Sequence, residues 1–300
     1  MARVKARTRR GWFVRIFLWT LGAVLLFLLV SVLWVLLYRF VNPPVTFTMI
    51  GDRLGGRSIQ QAWMPIERID RDMVRAVVAA EDSKFCSHWG FDEDAIAAAM
   101  RRNARGGSVI RGGSTISQQT AKNAFLWQGG GYFRKGLEAW FTLLIENMWG
   151  KRRIMEVYLN VAETGIGTYG VNAGAERYFG HDASTMSRIE AARLAAVLPL
   201  PKKRGVVAPK GFTRRYGNMI SARIGVVGRD GMDACVYAGA AAPRDVPDAP
   251  VKARPKPARK AAPQAPVELP GEELESVQPE AAPPPPPPAE EAPAAPANSA

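Results

Sequence analysis

The 300-residue sequence has little cysteine and little histidine, with two of each: Cys86, Cys235, His88 and His181. Two cysteines are too few for a disulfide framework, and their spacing is not that of a metal site. We therefore expect two free thiols, although an oxidising compartment would let them pair if the fold brought them close together. With only two histidines, we expect neither a histidine-based metal site nor a Ser-His-Asp triad.

Charge is absent from residues 16–38, a run of 23 residues. As a helix this run is about 35 Å long, enough to cross a hydrocarbon core of about 30 Å. Residues 1–15 contain six basic and no acidic residues, a bias that favours a cytoplasmic N-terminus. We predict a basic cytoplasmic segment over 1–15 and a transmembrane helix over 16–38, because the apolar region of a cleaved signal peptide is shorter.

Residues 243–300 hold 17 of the 23 prolines and more acidic than basic residues. This composition predicts a disordered or polyproline-like tail. Residues 43–242 remain for one folded domain, and residues 40–242 carry a net charge of +9. These unlike regions exclude an ordinary soluble cytosolic protein. A basic domain beside a membrane would also attract anionic lipids.

Helical periodicity dominates the folded region and predicts a mainly α domain with little sheet. Asp70 is a predicted N-cap, and Ser187 with Glu190 forms a predicted capping box. Residues 45–50 are predicted to be extended, and residues 105–114 form a glycine-rich loop. The predicted helices cover about residues 70–81, 92–103, 116–125, 133–149, 152–161, a short helix ending at 180, 187–198 and 213–227.

Glu81 ends an otherwise apolar predicted helix, so its carboxylate is expected to be partly buried. Burial raises the pKa of a carboxyl group and makes it a better base near neutral pH. The alternative is that Glu81 and the adjacent Asp82 are solvated charges at a helix end.

Two further polar clusters follow. In residues 112–119, glycines and hydroxyl side chains precede a helix, a geometry that suits a phosphate oxygen. Gln119 and Lys122 are three residues apart and project from one helix face, but the segment lacks the Walker pattern. Arg134 and Glu138 are four residues apart, and the alternative to a binding role is a surface ion pair.

Four segments in this order resemble the glycosyltransferase family 51 domain, which polymerises bacterial peptidoglycan. They read EDSKFCSHWGFD, GGSTISQQTAKN, RKGLEAWFTLLIE and KRRIMEVYLNVAETGIGTYGVNAGAERYFG. The resemblance covers about residues 65–202. The chain has no Ser-x-x-Lys motif, so it resembles a monofunctional member rather than a bifunctional penicillin-binding protein.

The resemblance implies a lysozyme-like, mostly α-helical fold with a smaller membrane-proximal lobe. It implies an inverting polymerisation of lipid II into β-1,4 glycan strands, with a polyprenyl diphosphate as the leaving group of the donor. Glu81 matches the general base for the acceptor 4-hydroxyl, and Glu138 matches a second acidic residue at the donor diphosphate. A divalent metal such as magnesium at Glu138 is the one cofactor that the resemblance leaves open. The matched substrate-binding residues are the cations Lys122 and Arg134 and the cleft residues His88, Thr115, Gln119 and Asn123.

The expected partners are lipid II, the lipid-linked glycan strand, membrane lipids and cell-wall synthesis proteins that bind the proline-rich tail. Nucleic acid is not expected, because the anchor places the domain on the periplasmic side of the bacterial inner membrane. Two other functions stay open: a glycan hydrolase or lytic transglycosylase, and a non-catalytic membrane-anchored scaffold. A hydrolase would also need a carboxylate at a helix end, but it has no use for Lys122 and Arg134 at a phosphate.

Overall fold

The computed structural model describes residues 2–105 and 113–237, with side chains from residue 11 onward. The predicted tail over 243–300 and most of the predicted glycine-rich loop lie outside the described residues. Within the described ranges the fold is mainly α, as predicted. The helices are α1 (Ala2–Phe40), α2 (Phe47–Leu54), α3 (Arg71–Glu81), α4 (Glu93–Ala104), α5 (Ile116–Phe125), α6 (Gly131–Met148), α7 (Lys151–Val161), α8 (Val171–Phe179), α9 (Arg188–Val197), α10 (Gly211–Arg229) and α11 (Ala234–Tyr237).

The predicted helix starts agree with the caps observed. The Asp70 side chain accepts a hydrogen bond from the Asp72 amide at the start of α3. Ser187 and Glu190 form the capping box of α9. Each cap satisfies amides that have no partner inside the helix.

The predicted extended stretch over residues 45–50 is wrong, because α2 begins at Phe47. Its β-branched residues favour a strand, but Thr46 caps the helix by accepting a hydrogen bond from the Met49 amide at 3.3 Å. The described strands are short: β1 (Gln60–Gln61), β2 (Glu163–Gly165) and β3 (Thr168–Tyr169). They form one sheet in the order β1-β3-β2, with β1 parallel and β2 antiparallel to β3.

Helix α1 is continuous from the N-terminal basic segment to Phe40. Gly11–Phe40 is the one helical stretch among the described residues that is long and apolar enough to cross a membrane. The C-terminal end of α1 packs on the folded domain, where Val35 and Tyr38 are buried. Trp149 donates a hydrogen bond through Nε1 to the Val35 carbonyl at 2.9 Å. The predicted anchor therefore also contributes to the core.

Two groups of helices build the rest of the core. Helix α3 packs against α9 and α10, and α5 packs against α6 and α7. An aromatic cluster joins α1 to the second group: Phe125 stacks on Phe141 with ring centroids 4.7 Å apart, and Trp34 meets Phe125 edge-on at 5.4 Å. Such pairs add stabilisation beyond the apolar area they bury.

The expectation of two free thiols is wrong, because Cys86 and Cys235 form a disulfide. Their Cα atoms are 5.4 Å apart although 149 residues separate them in sequence. The turn after α3 carries Cys86, and α11 carries Cys235. Because α11 lies far along the chain from α3, sequence spacing alone could not reveal the pairing.

Candidate active site

Glu81 is the last residue of α3, and its carboxylate is largely desolvated. Oε2 accepts a hydrogen bond from Gln119 Nε2 at 2.9 Å, while the buried Oε1 has no hydrogen-bond partner among the described residues. Burial raises the pKa of Glu81, and the Gln119 hydrogen bond and the charges of Arg204 and Lys122 oppose that rise. The alternative of a solvated helix-end charge does not fit this environment for Glu81.

Two tyrosines support the Glu81 region. The Tyr158 hydroxyl donates to Gln119 Oε1 at 3.4 Å, so Gln119 joins the carboxylate to α7. The Tyr216 hydroxyl donates to the Ala80 carbonyl at 2.8 Å and fixes the last turn of α3. Burial raises the pKa of Tyr158 well above its usual value, so this hydroxyl stays protonated and remains a donor.

Asp82 connects the end of α3 to the start of α5. Its carboxylate is buried and accepts a hydrogen bond from the Ile116 amide at 3.0 Å. His88 Nε2 lies 2.9 Å from Asp82 Oδ2, and His88 Nδ1 has no partner among the described residues. A charged acceptor at a helix N-terminus is favourable. This carboxylate therefore places Glu81 beside Gln119 and fixes the His88 ring.

Thr115 lies at the N-cap of α5 and is buried. Its hydroxyl donates to the Gly90 carbonyl at 2.6 Å and accepts from the Gln118 amide at 3.2 Å. Gly90 has a φ of +80°, and a Cβ there would lie 2.8 Å from Thr142 Cγ2, so the turn requires glycine. The hydroxyl of Thr115 is engaged within the protein, and its role toward substrate stays a prediction.

Lys122 and Asn123 line a cavity of about 360 Å³ that Gln119 and Tyr158 also line. The Lys122 ammonium forms no ion pair among the described residues. Burial lowers the pKa of Lys122, and Arg134 and Lys135 lower it further, while Glu138 and Glu81 oppose them. The predicted cations and carboxylates are therefore close enough to Lys122 to affect its charge. A half-buried cation without a carboxylate partner is suited to an anionic ligand.

Glu138 lies on α6 and is 3% exposed, so its pair with Arg134 is not a surface ion pair. Arg134 Nη1 donates to Glu138 Oε2 at 2.7 Å. Lys135 Nζ contacts Glu138 Oε1 and donates to Ser114 Oγ at 3.1 Å. Lys135 was not among the predicted site residues.

A metal at Glu138 does not fit this arrangement. Both carboxylate oxygens accept hydrogen bonds from cationic side chains, which would repel a divalent ion. Among residues 2–105 and 113–237, no group of three or more His, Cys, Asp or Glu side chains is placed to hold a metal. We therefore assign no step to a metal.

Sequence reasoning missed three further basic residues near the cavity. Lys202 and Lys203 line it, and Lys202 Nζ lies 3.0 Å from Asp52 Oδ1 and 3.3 Å from Glu163 Oε1. Arg204 acts electrostatically on Glu81. All three follow the prolines that end α9, and this run of basic residues after a helix stop is the signal that would have marked them.

The site thus combines a desolvated carboxylate with basic side chains, on a mainly α domain that follows a long apolar helix. The family model described as transglycosylase matches residues 48–223. A biosynthetic peptidoglycan transglycosylase of Caulobacter vibrioides is 50% identical over 75% of this chain and 99% of its own length. Proteins of the same name from Xanthomonas campestris pv. campestris and Pseudomonas putida are 48% and 49% identical, over 71% and 69% of this chain and 87% and 89% of their own lengths.

The chain therefore belongs to the transglycosylase family, glycosyltransferase family 51. Its activity is that of a peptidoglycan transglycosylase.

Proposed function

We propose that the protein polymerises lipid II into β-1,4 glycan strands, with the growing strand on a polyprenyl diphosphate as donor and the 4-hydroxyl of lipid II as acceptor. One observation carries the proposal: the desolvated carboxylate of Glu81 is hydrogen-bonded to Gln119, which lines the same cavity as Lys122, and the Lys122 ammonium forms no ion pair among the described residues. A glycosyl transfer from a diphosphate needs both a base and a cation.

Glu81 is the proposed general base. Its raised pKa gives it a greater affinity for a proton near neutral pH, and no donor among the described residues competes for Oε1. The 4-hydroxyl of the acceptor transfers its proton to this carboxylate while its oxygen attacks the anomeric carbon of the donor. The bond from that carbon to the diphosphate breaks, and attack from the opposite face inverts the configuration.

Lys122 and Arg134 are proposed to stabilise the departing diphosphate. In the part of the chain that the structure describes, Lys122 forms no ion pair that a phosphate would have to displace, whereas Arg134 is held in place by Glu138. Charge-assisted hydrogen bonds of this kind are strongest where water is excluded. Gln119 and Asn123 line the same cavity. His88, fixed by Asp82, and Thr115, at the start of α5, are proposed to border the cleft.

We also propose that α1 anchors the protein in the bacterial inner membrane with a cytoplasmic N-terminus and a periplasmic catalytic domain. The basic N-terminal segment supports this orientation. The disulfide supports it independently, because disulfides persist in oxidising compartments and are rare in the cytosol. The proline-rich tail is proposed to recruit cell-wall synthesis proteins, in which case a chain without residues 243–300 keeps its polymerase activity.

The test is polymerisation of labelled lipid II by the purified full chain, with and without added magnesium. We expect long glycan strands from the wild type. Glu81→Gln should lower the rate by about 10²–10⁴-fold, the usual contribution of a general base, while the exposed Asp230→Asn should leave it unchanged. Normal polymerisation by Glu81→Gln would show that the base is assigned wrongly. Release of muropeptides from lipid-free peptidoglycan would favour the hydrolase.

A further inference from the structure

The residues from Asp233 to Tyr237, here called the C-terminal segment, lie beyond the part of the chain that the family model matches. They are nevertheless packed into the core: Asp233, Val236 and Tyr237 are buried. Burial of an acidic side chain requires a specific partner. The segment is therefore held on the catalytic domain by defined contacts.

Helix α3, which ends at Glu81, provides the first set of contacts. Asp233 Oδ2 accepts hydrogen bonds from Arg71 Nε and Arg75 Nε, both at 3.1 Å. The Arg71 guanidinium also lies 4.3 Å from the centroid of the Tyr237 ring. The C-terminal segment thus holds the first half of the helix that carries the proposed base.

The second set of contacts reaches the turn that follows Glu81. Cys235 is bonded to Cys86, which lies between Glu81 and His88, and the Cys235 amide donates to Cys86 Sγ at 3.3 Å. Arg152 Nη1 donates to the Val236 carbonyl at 3.0 Å and ties the segment to α7. The C-terminal segment is therefore bonded both to α3 and to the turn that follows α3.

We propose that the C-terminal segment, closed by the Cys86–Cys235 disulfide, is a positioning element for the turn from Glu81 to His88, and that full polymerase activity requires the oxidised pair. This inference rests on the proposed role of Glu81. The disulfide forms when the two thiols exchange with a disulfide oxidant, which leaves as two thiols. A dithiol reductant reverses the exchange and is itself oxidised to a disulfide.

Reduction breaks the Cys86–Cys235 bond, the one covalent cross-link that the two cysteines of the sequence can form to this turn. Its other restraints in the described residues are noncovalent: the hydrogen bonds of Asp82, the buried ring of Phe85, and the bond from Lys151 Nζ to the His88 carbonyl at 2.8 Å. Small displacements of reacting groups are costly, because a 1 Å misplacement can lower a rate about 10²-fold. A looser turn would also admit water to Glu81, on which the charges of Asp82, Lys122 and Arg204 already act.

The experiment compares four samples of the full chain in the lipid II assay: wild type and the Cys86→Ser/Cys235→Ser double variant, each with and without dithiothreitol. Rates are measured across pH, well below the melting temperature of each sample. We expect reduction of the wild type to lower kcat by about tenfold and to move the acid limb of the rate profile to lower pH, because hydration of Glu81 relieves its desolvation. The double variant should match the reduced wild type and should not respond to dithiothreitol.

An unchanged kcat and an unchanged acid limb in all four samples would overturn the inference, even if the melting temperature fell, because the disulfide would then serve stability alone. A response of the double variant to dithiothreitol would overturn it as well, because that variant has no cysteine left to reduce. Glu81→Gln in its oxidised form separates this result from the proposed function. If that variant polymerises normally, the base is assigned wrongly, whereas the positioning role is still decided by kcat of the reduced wild type.

Discussion

At the scale of single residues, the hydrogen bond from Gln119 to Glu81 opposes the effect of burial on the proposed base. A base must be ionised to act, so the rate falls as the pH drops through the pKa of Glu81. Burial raises that pKa and the Gln119 hydrogen bond lowers it. Gln119→Leu removes the opposing hydrogen bond, and we expect the acid limb of kcat/KM to move to higher pH. A pH–rate profile of lipid II polymerisation measures the shift.

Tyr158→Phe is the matched control for this prediction. It keeps Gln119 in place and removes only a hydroxyl that lies 3.4 Å from Gln119 Oε1. We expect a smaller shift of the acid limb than in Gln119→Leu. An acid limb that stays at the wild-type pH in Gln119→Leu would contradict the assignment of Glu81 as the group that titrates.

The pKa of Lys122 is shifted in the opposite direction to that of Glu81. Burial lowers the Lys122 pKa, because it disfavours the charged form of the side chain in the folded state. The folded pKa lies below the unfolded pKa, so the penalty on stability is fully present below the folded pKa and disappears as the pH rises from there past the ordinary lysine range. We expect Lys122→Met to keep or raise the melting temperature at pH 7. Its polymerisation rate should fall by about 10²-fold, as when a preorganised donor is removed.

Lys135→Met on α6 is the comparison for Lys122→Met, because Lys135 is paired with a carboxylate and Lys122 is not paired among the described residues. The Lys135 ammonium contacts the buried Glu138, so removing it takes a partner from a buried carboxylate and should lower the melting temperature. Thermal unfolding of both variants in one detergent provides the comparison. A lower melting temperature for Lys122→Met than for Lys135→Met would contradict this prediction. It would mean that Lys122 stabilises the fold instead of serving only to bind an anionic ligand.

At the scale of elements, helix boundaries could be predicted where capping chemistry is local. Asp70 and Ser187 mark their helices because a cap and its amide lie within three residues. Helix α2 was missed because the β-branched residues Val45, Thr46, Thr48 and Ile50 favour a strand. Its position depends on distant groups: Thr48 accepts a hydrogen bond from Gln128 at 3.1 Å. The secondary-structure propensity of residues 45–50 cannot predict this contact, because Gln128 is distant in sequence.

Asp52 joins α2 to the rest of the domain, because its carboxylate accepts hydrogen bonds from Tyr169 at 2.7 Å and Lys202 at 3.0 Å. Burial alone would raise the pKa of Asp52, but hydrogen bonds from Tyr169, Lys202 and Arg57 outweigh it and hold the pKa below its usual value. Its contribution to stability is therefore present above the ordinary carboxyl pKa and is lost as the pH falls through the depressed folded pKa. We expect Asp52→Asn to lower the free energy of unfolding at pH 7 by about 1–3 kcal/mol.

Thermal unfolding against pH checks this prediction, since the difference between wild type and Asp52→Asn should shrink at acid pH. Tyr169→Phe removes a single hydrogen bond of 2.7 Å and should cost less. A constant difference at every pH would mean that the charge of Asp52 does not stabilise α2.

At the scale of the whole molecule, the long apolar helix, the mainly α domain and the family could be predicted, because they depend on composition, periodicity and ordered motifs. The disulfide could not, since its cysteines are 149 positions apart in the sequence. The ion pairs of Glu138 could be predicted only in part. Spacing along α6 identified Arg134 as a partner, but the burial of the carboxylate depends on the packing of other helices.

The end of α1 belongs to both the predicted anchor and the core, and this overlap predicts where the chain can be shortened. A chain that begins at Phe27 keeps Val35 and Tyr38, which are buried against the domain. A chain that begins at Asn42 loses both and leaves Trp149 Nε1 and the guanidinium of Arg153 without the carbonyls they bond. Burial of the two side chains alone is worth about 3 kcal/mol or more.

In mild detergent, we expect the chain that begins at Phe27 to melt close to the full chain and the one that begins at Asn42 to melt well below it. The aromatic cluster around Phe125 and Phe141 would lose Trp34 and become exposed, so the shorter chain should also aggregate. Equal melting temperatures for the two shortened chains would mean that the domain is complete without α1. Because Val35 and Tyr38 complete the core, we instead expect the catalytic domain to lie close against the membrane that α1 is proposed to enter.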